Sequence, residues 1–148
     1  MTTMPPSECS INCTLLTDFY ELTMMQGYFL QRHNPRAVFE MFFRRPPFGG
    51  GFAVFAGLET LLRALRDFHF TAEDLEYLAA AGEFRQEFLD YLAGFRFRGD
   101  VLAVDEGTVV FPNEPLVQVH ASLIEAQFLE SLLLNILNFQ TLVATKAA

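Results

Sequence analysis

The order of hydrophobic periods in this chain predicts an α+β fold, with helices beside a small, mostly antiparallel sheet. Three observations carry that prediction. Apolar residues recur at helical spacing over 18–34 and again over 58–94. Between Val101 and His120 the period becomes extended, in short runs separated by turn residues. After Ser122 it becomes helical once more. With one extended aromatic run at 37–43, the order is helix, strand, helices, strand cluster, helix. A nucleotide-binding fold would instead alternate strands and helices strictly.

The first helix opens at Asp18, a residue type suited to the N-cap, with Glu21 placed to reach back and complete a capping box. Phe19, Leu22, Gln26 and Phe29 form its stripe, and the run ends near Arg32–Pro35. Ala37 to Phe43 reads as a strand, with Val38, Glu40, Phe42 and Arg44 on one face and Phe39, Met41 and Phe43 on the other. Pro46 and Pro47 end it, and Gly49–Gly51 lets the backbone turn. Phe52 to Phe55 adds a short strand. Leu58, Leu61, Leu62 and Leu65 mark a helix. Thr71 and Asp74 open another as a capping box that Gly82 closes. Phe84, Phe88, Tyr91 and Leu92 share one side of a further helix, which ends at Gly94. Three strands follow at Val101–Val104, Thr108–Phe111 and Leu116–His120, with Asp105–Gly107 and Pro112–Pro115 as turns. Ser122 and Glu125 then cap one long helix that is apolar on nearly every side.

At 148 residues the chain has the size of one domain. A lead-in is expected over residues 1–13 and the α+β domain over 14–148. The net charge of −8 argues against a nucleic-acid surface, which needs clustered Lys and Arg. No run reaches the ~18 apolar residues of a membrane span. Met1 to Ser10 lacks the basic start and apolar stretch of a signal peptide. The expected location is therefore cytoplasmic. Cys9 and Cys13 make a C-x3-C pair without a second pair, so reduced thiols are expected rather than zinc ligands or a disulfide. The 17 Phe and absent Trp have no explanation at this level. The long apolar helix after Ser122 demands burial on all sides. The other elements are too few to supply it, which points to a fragment or to a chain that relies on a partner.

Two segments carry the residues of chemical interest. Asp18 and Tyr20 stand at the start of the first helix. Read plainly, Asp18 is a cap and Tyr20 a packed helix aromatic. Arg44 and Arg45 stand before the rigid Pro-Pro turn, where guanidinium forks suit a polyanion. Their plain reading is a surface ion pair, for instance of Arg44 with Glu40. Gly49–Gly51 lacks the Lys and Ser/Thr of a phosphate loop and reads as a turn. His33, His69 and His120 share no partner pattern.

Five blocks together resemble one family. Thr17-Asp18-Phe19-Tyr20-Glu21-Leu22-Thr23-Met24, Phe39-Glu40-Met41-Phe42-Phe43-Arg44-Arg45 with Pro47-Phe48-Gly49-Gly50, and Phe55-Ala56-Gly57-Leu58 come in that order. Glu106-Gly107 to Phe111-Pro112 and Pro115-Leu116 follow, and then Leu142 to Ala148. The sequence resembles nicotinate phosphoribosyltransferase across nearly its whole length. The resemblance implies the N-terminal domain of a type II phosphoribosyltransferase, with the family's α/β barrel absent from this chain. It implies nicotinate and 5-phosphoribosyl pyrophosphate as substrates, ATP as co-substrate, Mg²⁺ with the pyrophosphate, and a homodimer with sites at the subunit interface. Tyr20 is implied to stack on the pyridine ring and Arg44 to hold the phosphoribosyl pyrophosphate across that interface. Arg45 would join Arg44 on the polyanion. Asp18 is implied to shape the site or, equally, to cap its helix. No catalytic residue and no metal ligand is expected in these 148 residues, which alone should be inactive; the role of Lys146, in a family-like stretch, stays open. A nicotinamide or quinolinate phosphoribosyltransferase, and a non-catalytic domain acting only in assembly, stay open as alternatives.

Overall fold

The computed structural model describes residues 13–148, so all of the expected lead-in but Cys13 lies outside the described residues. The elements run α1 (Phe19–Leu30), β1 (Arg36–Met41), β2 (Ala53–Val54), α2 (Leu58–Arg66), α3 (Ala72–Ala81), α4 (Gln86–Ala93), β3 (Asp100–Ala103), β4 (Val109–Val110), β5 (Val117–Ser122), α5 (Leu123–Phe128) and α6 (Glu130–Ala147). This is the predicted α+β order, and both sheets are antiparallel. No α/β barrel is present among the described residues.

The late strands do not pair with one another in sequence. β5 lies at the centre of one sheet between β1 and β3, while β4 leaves that cluster to pair with β2. Short contacts hold this second sheet. Phe55 N–H donates to Thr108 O at 2.9 Å and Gly107 N–H donates to Phe55 O at 2.8 Å. Gly107 supports the turn with a φ of 81°, a conformation that suits a residue without Cβ. β1 is shifted from its expected bounds, because its partner β5 sets the register from Arg36↔Ser122 to Met41↔Val117. Arg44 therefore lies beyond the paired strand. Val117, Val119 and Ala121 alternate into the core from β5, as a half-covered sheet requires.

Much of the phenylalanine excess acquires a structural use. Phe128 of α5 meets Phe68, Phe70 and Phe95 at ring centroid distances of 5.1, 5.3 and 5.5 Å. Phe29, Phe88 and Tyr91 extend the cluster toward α1. Offset and edge-on ring pairs add about 0.5–1.5 kcal/mol beyond their buried area.

The capping boxes at Thr71/Asp74 and Ser122/Glu125 form as predicted. The one at Asp18/Glu21 does not. Asp18 holds the N-cap position with an extended backbone but makes no side-chain cap bond, because both carboxylates turn to another helix. The single long helix also divides: α5 ends and α6 begins at Leu129, which is fully buried. Nor is α6 buried all round. Leu132, Leu133, Leu137 and Thr141 face the core, while Phe139 and Val143 are 67% and 52% exposed. No helix among the described residues is long and apolar enough to cross a membrane.

α6 is stitched to β2 and its flank by hydroxyls. Thr141 Oγ1 accepts from Ala56 N–H and Thr145 Oγ1 accepts from Val54 N–H, at 3.2 and 2.9 Å. Gly57 lets the two approach. A Cβ there would lie 3.2 Å from Leu137 Cδ2 and 3.3 Å from Ile136 O. Glu106 accepts from the Gly57 and Glu59 N–H groups and so caps α2 from outside.

Candidate substrate-binding site

The N-termini of α1 and α6 meet, and the first candidate residues lie at that junction. Leu129 gives α6 no side-chain cap. Its first turn is served from α1: Ser131 N–H donates to Glu21 Oε1 at 3.2 Å. A carboxylate at a helix N-terminus satisfies an orphan donor and suits the dipole. The Ser131 hydroxyl lies 2.9 Å from Asp18 Oδ2 and 3.1 Å from Glu21 Oε1, and accepts from Asp18 N–H at 3.2 Å. Thr17 Oγ1 donates to the other Glu21 oxygen. Glu21 is fully buried, and burial raises its carboxyl pKa above the ordinary range despite these bonds; the nearby Glu130 charge adds to the rise.

Tyr20 occupies the same turn with its side chain 46% exposed, so it is not a core aromatic. Desolvation first, then a hydrogen bond to Glu130 and the charges of Glu130, Glu21 and Asp18, push its phenol up to about 12. The phenol thus stays protonated and can donate. Glu130 is the first residue of α6 and also accepts from Gln127.

Glu130 also lines a 600 Å³ groove with Arg44, Glu40, Phe42 and Asn138. Arg45, one residue on, lines an adjoining 530 Å³ groove with Pro47, Asn135 and Phe139. Leu134 and Asn138 border both grooves. Glu130 therefore touches Tyr20 and shares a groove lining with Arg44, Asp18 joins the neighbouring Ser131, and Arg45 lines the adjoining groove. The plain ion-pair reading of Arg44 fails. The ion pairs among the described residues are Arg36–Asp100 and Arg63–Glu59, and Glu40 instead accepts from Gln118. Lys146 stands 4.9 Å over the ring of Phe48, just past the Pro-Pro turn. Glu130 and Ser131 were not singled out from sequence. Their signal was a polar pair opening an otherwise apolar helix.

A family model described as the nicotinate phosphoribosyltransferase N-terminal domain matches residues 15–138. The chain belongs to the nicotinate phosphoribosyltransferase family. It is 50% identical over 134 residues to a nicotinate phosphoribosyltransferase of Mycobacterium tuberculosis, which covers 90% of this chain and 29% of that protein. It is 48% identical over 136 residues to the Bacillus subtilis enzyme of the same name, covering 91% of this chain and 28% of that protein. The crystal structure of human nicotinic acid phosphoribosyltransferase superimposes with a TM-score of 0.81 at 41% identity, over 90% of this chain and 27% of that one. A nicotinate-nucleotide pyrophosphorylase from Pyrococcus furiosus shares the fold, with a TM-score of 0.60 at 17% identity over 93% of this chain and 27% of that one. The chain thus spans less than a third of the length of the nicotinate phosphoribosyltransferases it matches.

Proposed function

We propose that these residues are the N-terminal part of a nicotinate phosphoribosyltransferase and supply two substrate contacts to its site. The reaction joins nicotinate to 5-phosphoribosyl pyrophosphate, giving nicotinate mononucleotide and pyrophosphate for NAD salvage, coupled to ATP hydrolysis. The observation that carries the reading is the pairing of an exposed Tyr20 with an Arg44 that forms no ion pair among the described residues, linked by Glu130. A flat ring stacks on the phenol face. A guanidinium fork grips phosphate oxygens in two parallel bonds. Both stabilise bound, oriented reactants, which is where displacement at an anomeric carbon gains most from a protein.

Asp18 shapes the site rather than contacting nicotinate, whose own carboxylate it would repel. Arg45 serves the same polyanion from the neighbouring groove. Mg²⁺ and ATP belong to the reaction as co-reactants. No residue of these 148 is assigned to either.

The test is a pair of variants in a full-length enzyme carrying these residues. Tyr20→Ala should weaken nicotinate binding by about 1–3 kcal/mol through lost stacking and burial, with little change in thermal stability. Arg44→Lys should raise the KM for phosphoribosyl pyrophosphate about tenfold and leave that for nicotinate nearly unchanged, because an ammonium cannot reproduce the fork. An unchanged nicotinate KM together with a lowered Tm in Tyr20→Ala would make Tyr20 a packing residue and end the proposal.

A further inference from the structure

We propose that Ser131 is a positioning residue: clamped between Glu21 and Asp18, its hydroxyl sets the direction of the Asp18 carboxylate and anchors the turn of α1 that presents Tyr20. The proposal rests on the substrate-binding reading above and goes beyond it, since no ligand contact is ascribed to Ser131 itself.

The argument is one of proton counting. A serine hydroxyl has one proton to give and two lone pairs to receive. Ser131 Oγ already accepts from Asp18 N–H, and carboxylate oxygens of Asp18 and Glu21 both lie within hydrogen-bond distance of it. With both carboxyls ionised, one of those contacts is an oxygen lone pair facing another. All contacts are satisfied with Glu21 protonated, its O–H donating a hydrogen bond to Ser131 Oγ and the Ser131 hydroxyl donating one to Asp18 Oδ2. Burial raises the Glu21 carboxyl pKa and so favours its protonated form. The other charged or titratable groups facing the cluster are Glu130 on α6 and Tyr20 on α1, and neither is cationic. Ser131 is 7% exposed and joins residues 110 and 113 positions away, so the clamp ties the two helices rather than one local turn.

The experiment uses a full-length enzyme carrying these residues. Ser131→Ala should raise the KM for the pyridine substrate about tenfold, as expected for a lost bond to a charged partner, and leave that for phosphoribosyl pyrophosphate within about twofold. Ser131→Thr, which keeps the hydroxyl, should restore it. In an Asp18→Asn background Ser131→Ala should add little, since its effect passes through Asp18. Glu21→Gln should keep the pyridine-substrate KM level as pH rises from 4.5, the ordinary carboxyl value, whereas the parent's should climb. If both KM values move together, or if Ser131→Ala and Asp18→Asn effects simply add, Ser131 is structural and the proposal falls. Tyr20→Ala, run alongside, separates the two failures. An unchanged pyridine KM there would overturn the binding reading, while a raised one with no Ser131→Ala effect would overturn only the positioning role.

Discussion

Glu21 shows how one residue can be correctly noticed and wrongly connected. Its spacing from Asp18 fits a local capping box, yet it caps α6 instead, and full burial raises its pKa. The folded state holds this proton more tightly than the unfolded chain does. Its contribution therefore favours folding most below pH 4.5 and is lost as pH rises from there through the folded value. Glu21→Gln should remove that loss. The measurement is Tm against pH for both proteins, with the parent falling relative to the variant as pH increases. Parallel curves would mean that Glu21 is not shifted in the fold. Tyr20 is half-exposed and Arg44 forms no ion pair among the described residues, so the plain readings of a packed aromatic and of an ion pair with Glu40 both fail.

At the scale of elements, α6 is the organiser. It offers Glu130 and Ser131 to α1, Leu134 and Asn138 to both grooves, and Thr141 and Thr145 to the β2 region. Gly57 is a point of close approach, with φ of 110° at the N-cap of α2. Gly57→Ala would place a Cβ against α6 in a conformation that side chains rarely adopt. It should cost roughly 1–3 kcal/mol, read as a lower denaturant midpoint with an unchanged slope. A midpoint equal to that of the parent would show that α6 yields at no cost. The grooves flanking Arg44 and Arg45 depend on this seat, so the variant should also weaken phosphoribosyl pyrophosphate binding.

At the scale of the whole molecule, the described residues are proposed to supply substrate contacts to a site whose catalytic centre lies elsewhere in a full-length enzyme. The 148 residues incubated with nicotinate, phosphoribosyl pyrophosphate, ATP and Mg²⁺ should give no nicotinate mononucleotide above background. Turnover by the pure chain would contradict the reading. The homodimer implied by the resemblance has a separate check. Full-length Arg44→Ala subunits mixed with full-length subunits inactivated within the family's α/β barrel should regain some activity, because each parent donates its intact half to a hybrid site. No recovery in proven heterodimers would place Arg44 within its own subunit's site. The exposed Phe139 and Val143 on α6 also suit a purely assembling role, which unchanged KM values in full-length Tyr20→Ala and Arg44→Lys would favour.

Local rules made much of this protein legible in advance. The capping boxes at Thr71 and Ser122, the helical and extended periods, and the ordered blocks around Tyr20 and Arg44 are all properties of residues within a few positions of one another. What lay beyond them depends on partners far along the chain. The departure of β4 to join β2 and the turning of Asp18 and Glu21 to Ser131 are settled by contacts across 55 to 113 positions. Spacing cannot report such contacts, because a buried carboxylate or an unpaired strand edge takes the partner that packing brings to it, and packing is a property of the folded chain.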